Sequence, residues 1–272
     1  MSVMMIVKRT DVIALYVLTV ALTAKATRIL IANVGTKSDP RKVQRAMREY
    51  KFEPSFHVIN TVSPTYPIAD LEKECGVYSS TPSFVRKHCG DIAKLLLSKV
   101  PDAWYAETEK LKLYPNCDVR VHRLYPGDFP AYPGFHCDGE FRETYFSQPD
   151  LDRIAVSHHL TAHVSSHDGG VSCTQFLNQP FTVKIEQPDN EHTLWGQVHN
   201  ALMKEQSLRL VDILDGEMVQ FGSRSLHRAM PTKIRGWRLF FRMSGWHRKN
   251  LGDGGMLTKQ EQVYKVVEGS GW

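Results

Sequence analysis

The stretch "GWRLFFRMSGW", residues 236–246, decides how this chain folds. Its residue types alternate, so an extended backbone puts Arg238, Phe240, Arg242 and Ser244 on one face and Leu239, Phe241 and Met243 on the other. The apolar face belongs against a core. The opposite face sets two guanidiniums and a hydroxyl among aromatics, which is costly unless an anion meets them. A solvent-facing placement fits less well, because Phe240 would be exposed between the arginines.

Working outward, the same period recurs. "CDVRVHRLY" (117–125) alternates, with Val119, Val121 and Arg123 opposite Arg120, His122 and Leu124. Residues 152–166, 173–177, 181–187, 207–214 and 217–223 also read as short strands with Gly, Asn, Asp and Pro at their joints. Many such strands make a sandwich or barrel. Upstream, "TPSFVRKHCGDIAKLLLSKV" (81–100) reads as one helix with Ile92, Leu95, Leu96 and Val100 on its apolar face. A helix continues from Ala103 to about Leu113, where Pro115 stops it, while 55–69 looks extended and broken by Pro64 and Pro67. The fold class expected is α+β, mainly β: a jelly-roll core with N-terminal supporting helices. Three segments follow: 1–55, an apolar and basic piece packing on the core or partly non-native; 56–250, one catalytic domain with helical support over 56–114 and the jelly roll over 115–250; and a tail, 251–272.

At 272 residues the chain has ample core, and 42% apolar with 23% charged residues is ordinary for a soluble globular protein. Five scattered cysteines without a C-x-x-C pair argue for a reducing compartment and against a cysteine zinc site. The net charge of +5 sits in residues 1–60, which hold ten Lys/Arg against four Asp/Glu. Most of it is "DPRKVQRAMREYK" (39–51), expected as the solvated face of a helix starting at Ser38 or Asp39, since no aromatics interleave as in a nucleic-acid patch. "VIALYVLTVALTA" (12–24) behind Lys8 and Arg9 imitates a secretory signal, with "AKA" (24–26) as a cleavage-like site. It is short for a membrane span. The free cysteines favour a cytoplasmic protein with no stable membrane association, and that stretch as a buried element or non-native residues.

"YPGFHCDGEFRET" (132–144) places His136 and Asp138 one residue apart after a Pro-Gly turn. With twelve histidines in the chain, this pair alone could be an ordinary loop. A second cluster, His158, His159, His163 and His167, would grip zinc if helical, but Ile154, Val156, Leu160, Ala162 and Val164 alternate as in a strand, which splits the histidines between faces. His227, in "DGEMVQFGSRSLHRAMP" (215–231), is the better third ligand. Two imidazoles and one carboxylate form a facial triad that leaves three iron positions open, suited to a bidentate 2-oxo acid and dioxygen. An arginine near the distal histidine would bind the acid's far carboxylate.

This order resembles the Fe(II)/2-oxoglutarate-dependent dioxygenases, whose core is a double-stranded β-helix, over roughly residues 117–246. The motifs are His136-Cys137-Asp138, His227, Arg238, and Arg242-Met243-Ser244 as an R-x-S-like continuation. "HRLYPGDFPAYPGFHCD" (122–138) is similar to the family's Y-x-x-G-x…H-x-D strand. "HDGGVSCTQFL" (167–177) is similar to the GG-x-T-x-F segment of prolyl-hydroxylase-like and phytanoyl-CoA-hydroxylase-like members, with two extra residues before Thr174. The resemblance implies that His136, Asp138 and His227 bind Fe(II), that Arg238 binds the 5-carboxylate of 2-oxoglutarate, and that Tyr125, Thr174 and Ser244 are further cosubstrate contacts. Arg242 is expected to meet a small-molecule substrate or share the 2-oxoglutarate role. Glu140, Arg142 and Glu143 lie where the family builds a substrate lid, and equally fit a solvated loop. Asp138, where a Gly or Ala would open an iron position for chloride, favours hydroxylation over halogenation. The implied activity consumes O2 and 2-oxoglutarate, releases succinate and CO2, and hydroxylates a small polar or anionic substrate. Protein and nucleic-acid substrates stay open.

Two other readings stand beside it. A cupin-like jelly roll could use the arginines to hold an anion without catalysis. A zinc hydrolase would use the histidines of 158–167.

Overall fold

A computed structural model describes residues 47–139, 158–168, 170–186, 191–246 and 256–257, the last two and 191–193 by backbone alone. The signal-like stretch, the expected strand at 28–34 and the start of the basic helix lie outside these residues.

Twelve strands and five helices form the described chain. They run β1 (Met47–Phe52), β2 (Phe56–Thr61), α1 (Ile68–Leu71), β3 (Gly76–Ser80), α2 (Pro82–His88), α3 (Asp91–Ser98), α4 (Asp102–Lys110), β4 (Tyr114–Leu124), β5 (His158–Ser165), β6 (Thr174–Leu177), β7 (Phe181–Glu186), α5 (Glu191–Leu202), β8 (Leu210–Ile213), β9 (Glu217–Gly222), β10 (His227–Ala229), β11 (Gly236–Trp246) and β12 (Met256–Leu257). A seven-stranded sheet has the order β12-β3-β4-β11-β5-β9-β2, a three-stranded sheet β10-β6-β8, and β1 pairs with β7. The chain alternates between the two larger sheets, going from β4 to a bridge at His136, back to β5, across to β6 and β8, then β9, β10 and β11. That alternation is the double-stranded β-helix, mixed α+β and mainly β. Phe56 of the large sheet stacks on Phe176 of the small one and Phe221 meets it edge-on, closing the sandwich at that end.

Burial follows the strand period. Leu239, Phe241 and Met243 point outward from the large sheet with Val119, Val121, Leu160, Ala162 and Val164, and pack on Val85, Ile92, Leu96, Leu97 and Trp104 of the helices. The opposite face of β11 lines the interior, where Arg238 is 2% exposed. Register sets Arg238 opposite His122 and Ser165, Arg242 opposite Asp118 and Thr161, and Ser244 opposite Asn116 and His159. A third layer, α5, covers β1, β7 and the back of the small sheet through Leu194, Trp195 and Val198.

Three local expectations are corrected. Residues 47–51 are strand, not the end of a basic helix: Tyr50 and Phe52 alternate with charged neighbours and are buried against β7. The helix expected over 81–100 breaks at Cys89-Gly90, because the buried Glu74 carboxylate accepts from Gly90 N (3.0 Å) and Ile92 N (2.7 Å) and starts a second helix there. A Cβ on Gly90 would lie 2.4 Å from that carboxylate, so glycine permits the approach, and Leu95 faces outward instead of joining the core. Pro115 does not stop a helix; α4 ends at Lys110, and Pro115 is the second residue of β4, opposite Gly245. Residues 56–114 hold β2 and β3 beside the helices, and both strands extend the large sheet, whose other edge is β12, while β1 pairs β7.

Candidate metal centre

His136 and His227 are 91 positions apart yet share one antiparallel bridge, with His136 N donating to His227 O and His227 N to His136 O, each at 3.0 Å. Both side chains therefore leave the same face of the small sheet, and their ring centroids are 4.6 Å apart. Asp138, two residues on, follows on that side. Gly139 at φ 75 then turns the backbone through the left-handed region, which costs glycine little. The ligand-type atoms of His136, Asp138 and His227 all lie within 4.8 Å of one another. Phe176 stacks on the His227 ring, and Phe221 meets it edge-on.

The donor set suits a metal cation. His136 Nδ1 donates to Gly134 O (2.8 Å) and His227 Nδ1 to Ser225 O (3.0 Å); a carbonyl only accepts, so each neutral ring keeps its proton on Nδ1 and a lone pair on Nε2. His227 Nε2 is 3.6 Å from Asp138 Oδ2. Burial, then the neighbouring His227, pushes His136 down to about 4, so it is a neutral ligand near neutrality. Burial alone would raise Asp138, but the charge of Arg242 and the contact with His227 outweigh it and hold the carboxyl well below its usual range. Two imidazoles and one carboxylate, brought together in this way, fit a 2-His-1-carboxylate iron site.

Of the remaining expected residues, the structure brings Arg238, Thr174, Ser244 and Arg242 to this interior. Arg238 is fully enclosed; among the described residues no carboxylate lies within ion-pair distance, and its Nε has no partner. Burial lowers this guanidinium to about 10, a fall that Asp215 opposes, and Asp215 is itself bonded to His163 Nδ1. Thr174 is buried on β6, in register with Ala229 and one step from Phe176. Ser244 is buried and bonds His159 Nδ1 at 2.9 Å, beside the triad and on the face that carries Arg238. Glu140, Arg142 and Glu143 lie outside the described residues.

Tyr125 is a correction. It is 44% exposed, beyond the end of β4, with Arg123 and Arg235 over its ring, so it does not line the interior. Arg242 is another, because its guanidinium is already committed: Nη1 donates to Asp138 Oδ2 at 2.7 Å, while Nε and Nη2 donate to Asp118 Oδ2 at 3.0 and 2.7 Å. The zinc alternative at 158–167 is not supported either. His158 faces the helices, stacked on Trp104 and bonded to Thr108; His159 bonds Ser244, His163 bonds Asp215, and His167 is exposed.

Sequence reasoning missed His122 and read His163 only as part of the zinc alternative. His122 is buried directly opposite Arg238, and among the described residues neither of its ring nitrogens has a hydrogen-bond partner. Burial, aided by Arg238 and Arg120, pushes it down to about 3. His163 comes from β5 on the same interior face, its Nε2 likewise unpartnered. The alternation of 117–125 already put His122 on one face with Arg120; only the strand order could set that face against Arg238.

No protein-family model and no curated protein matches this sequence. Among solved structures, the chain is similar to AviO1 from Streptomyces viridochromogenes Tue57, at 11% identity and a TM-score of 0.38, covering 71% of this chain and 90% of that one. It is also similar to an N-substituted L-amino acid dioxygenase from Burkholderia ambifaria AMMD, at 13% identity and a TM-score of 0.34, covering 78% and 99%. A third is HygX from Streptomyces hygroscopicus, solved with nickel and 2-oxoglutarate, at 10% identity and a TM-score of 0.33, covering 71% and 83%. In its own side chains, the protein combines a double-stranded β-helix with a two-histidine, one-carboxylate cluster, the combination that resembles the Fe(II)/2-oxoglutarate-dependent dioxygenase superfamily.

Proposed function

We propose that the chain is an Fe(II)/2-oxoglutarate-dependent oxygenase that hydroxylates a small polar or anionic molecule. The observation that carries this is one interior holding both a ligand triad with free Nε2 lone pairs and a buried guanidinium with no acid partner among the described residues. A cation site and an anion site enclosed together match a cosubstrate that chelates a metal at one end and carries a carboxylate at the other.

In this reading His136, Asp138 and His227 hold the iron. Bound iron with 2-oxoglutarate and O2 supplies the oxidising chemistry, with succinate and CO2 as coproducts. Arg238 binds the 5-carboxylate through two parallel N–H bonds. His122, neutral and with no hydrogen-bond partner for its ring nitrogens among the described residues, offers the same carboxylate one further N–H donor. Phe176 and Phe221 wall the triad and exclude water from it. Thr174 and Ser244 are polar contacts on the cosubstrate's flank.

Anaerobic addition of Fe(II) and 2-oxoglutarate should give a metal-to-ligand charge-transfer band, absent in His227→Ala, and succinate should form once O2 is admitted. No band with the wild-type protein sinks the assignment. Tight anion binding without iron-dependent succinate would return the non-catalytic jelly-roll reading instead.

A further inference from the structure

We propose that Arg242 is a positioning residue which fixes the carboxylate of Asp138 for the metal, anchored from behind by Asp118, and that it does not contact substrate. This rests on reading His136, Asp138 and His227 as the ligands.

The three ligands differ in how they are fixed. Each imidazole is oriented by its own Nδ1–carbonyl bond, and the two strands carrying them are tied by the His136–His227 bridge. Asp138 lies beyond that bridge, just before the turn at Gly139. The bridge does not fix its carboxylate's rotation. Arg242, reaching across from β11 of the other sheet, does so with a 2.7 Å bond to Oδ2.

A guanidinium is a useful clamp only if it is itself held. Asp118, in register with Arg242 on β4, takes its Nε and Nη2. The other oxygen of Asp118 accepts from Ser79 N at 2.6 Å, and Ser79 is held at φ 57 while its Oγ accepts from Asn116 Nδ2. Ser79, Asp118, Arg242 and Asp138 thus form one chain of contacts running from β3 to the ligand. Charge requires Asp118 as well. A lone arginine against a ligand carboxylate would oppose cation binding, whereas Asp118, Arg242 and Asp138 together carry a net single negative charge.

The test is an anaerobic Co(II) titration of the full chain, followed by cobalt d–d absorption. Arg242→Gln should weaken Co(II) binding roughly 10- to 100-fold and change the band shape, since groups that orient a ligand typically carry that much affinity. Arg242→Lys should recover only part, lacking the planar fork. Arg242→Gln strands Asp118 without its counter-charge and lowers stability, so Asp118→Asn/Arg242→Gln, which leaves no charged Asp118 behind, is titrated alongside. It should bind Co(II) no worse than Arg242→Gln, because the two residues act in series. Unchanged Co(II) affinity in a folded Arg242→Gln or double variant overturns the proposal, and so does tighter binding, which would make Arg242 a mere repeller of cations. A wild-type protein that takes up no Co(II) removes the metal reading itself, a failure distinct from a wild type that binds and variants that match it.

Discussion

Replacing Arg238 by alanine tests the anion site directly. In the free protein the guanidinium is 2% exposed and has no acid within ion-pair reach among the described residues, while Asp215 stays bonded to His163 whether or not Arg238 is there. Arg238→Ala therefore strands no carboxylate in the free fold. Its melting temperature should stay within roughly 4 °C of wild type, since a change of 1 kcal/mol moves a chain of this size by a few degrees. The bound state differs. There the 5-carboxylate would be enclosed without its partner, and breaking such a buried pair costs on the order of 3–5 kcal/mol, or roughly two to four decades in affinity. Calorimetric titration of the Mn(II)-loaded protein with 2-oxoglutarate reads this, and pyruvate serves as the control. Pyruvate keeps the 2-oxo acid but lacks the distal carboxylate, so its weak binding should not change. Arg238→Lys should restore part of the loss. Unchanged 2-oxoglutarate affinity in Arg238→Ala, or an equal loss for pyruvate, refutes the placement of the distal carboxylate.

Further outcomes follow from other buried groups. His122→Phe removes two unpartnered ring nitrogens without emptying the space; it should hold or raise the melting temperature while weakening 2-oxoglutarate roughly tenfold or more, measured by the same titration. His122 is also depressed to about 3 from an unfolded value near 6.5, so the unfolded chain binds more protons between those pH values. Its contribution is complete above about pH 6.5 and is lost as pH falls towards 3, at up to about 1.4 kcal/mol per pH unit. Urea unfolding at stepped pH should show that slope, and His122→Phe should flatten it by this share. Gly90→Ala pushes a methyl into the Glu74 carboxylate and should cost about 1–2 kcal/mol by displacing the cap of α3; in Glu74→Ala, where the cap is already gone, the added cost of the alanine should nearly vanish. A double-mutant cycle in urea checks this, and full additivity would contradict it.

What could be read in the sequence was whatever depends on period and order along one strand. The alternation in 236–246 correctly divided core-facing from interior-facing side chains, and the H-x-D and distal His order named three residues that the fold brings together. What failed was set by partners far away in the chain. Charged residues masked the period of two in "MREYKF", and only β7 explains why Tyr50 and Phe52 are buried. Glu74 breaks a helix that its apolar spacing alone would have continued. Arg242 and Arg238 have the same spacing logic and identical chemistry, yet Asp118 neutralises one and nothing in register neutralises the other. The helix α5 did carry a signal that was overlooked: Leu194, Trp195, Val198 and Leu202 repeat at helical spacing in "EHTLWGQVHNAL".

The bridge between His136 and His227 also bears on how the protein is made. It joins segments separated by most of the jelly roll, so closing it carries a large loop-closure entropy, and the site belongs among the late, long-range contacts of folding. An ion seated there would join the two histidine-bearing segments to Asp138, and through Arg242 to the opposite sheet. Contacts absent from the folding transition state act on the unfolding rate. Iron loading should therefore leave the refolding rate almost unchanged and lengthen the lifetime of the folded chain, making metal supply a control on persistence more than on assembly.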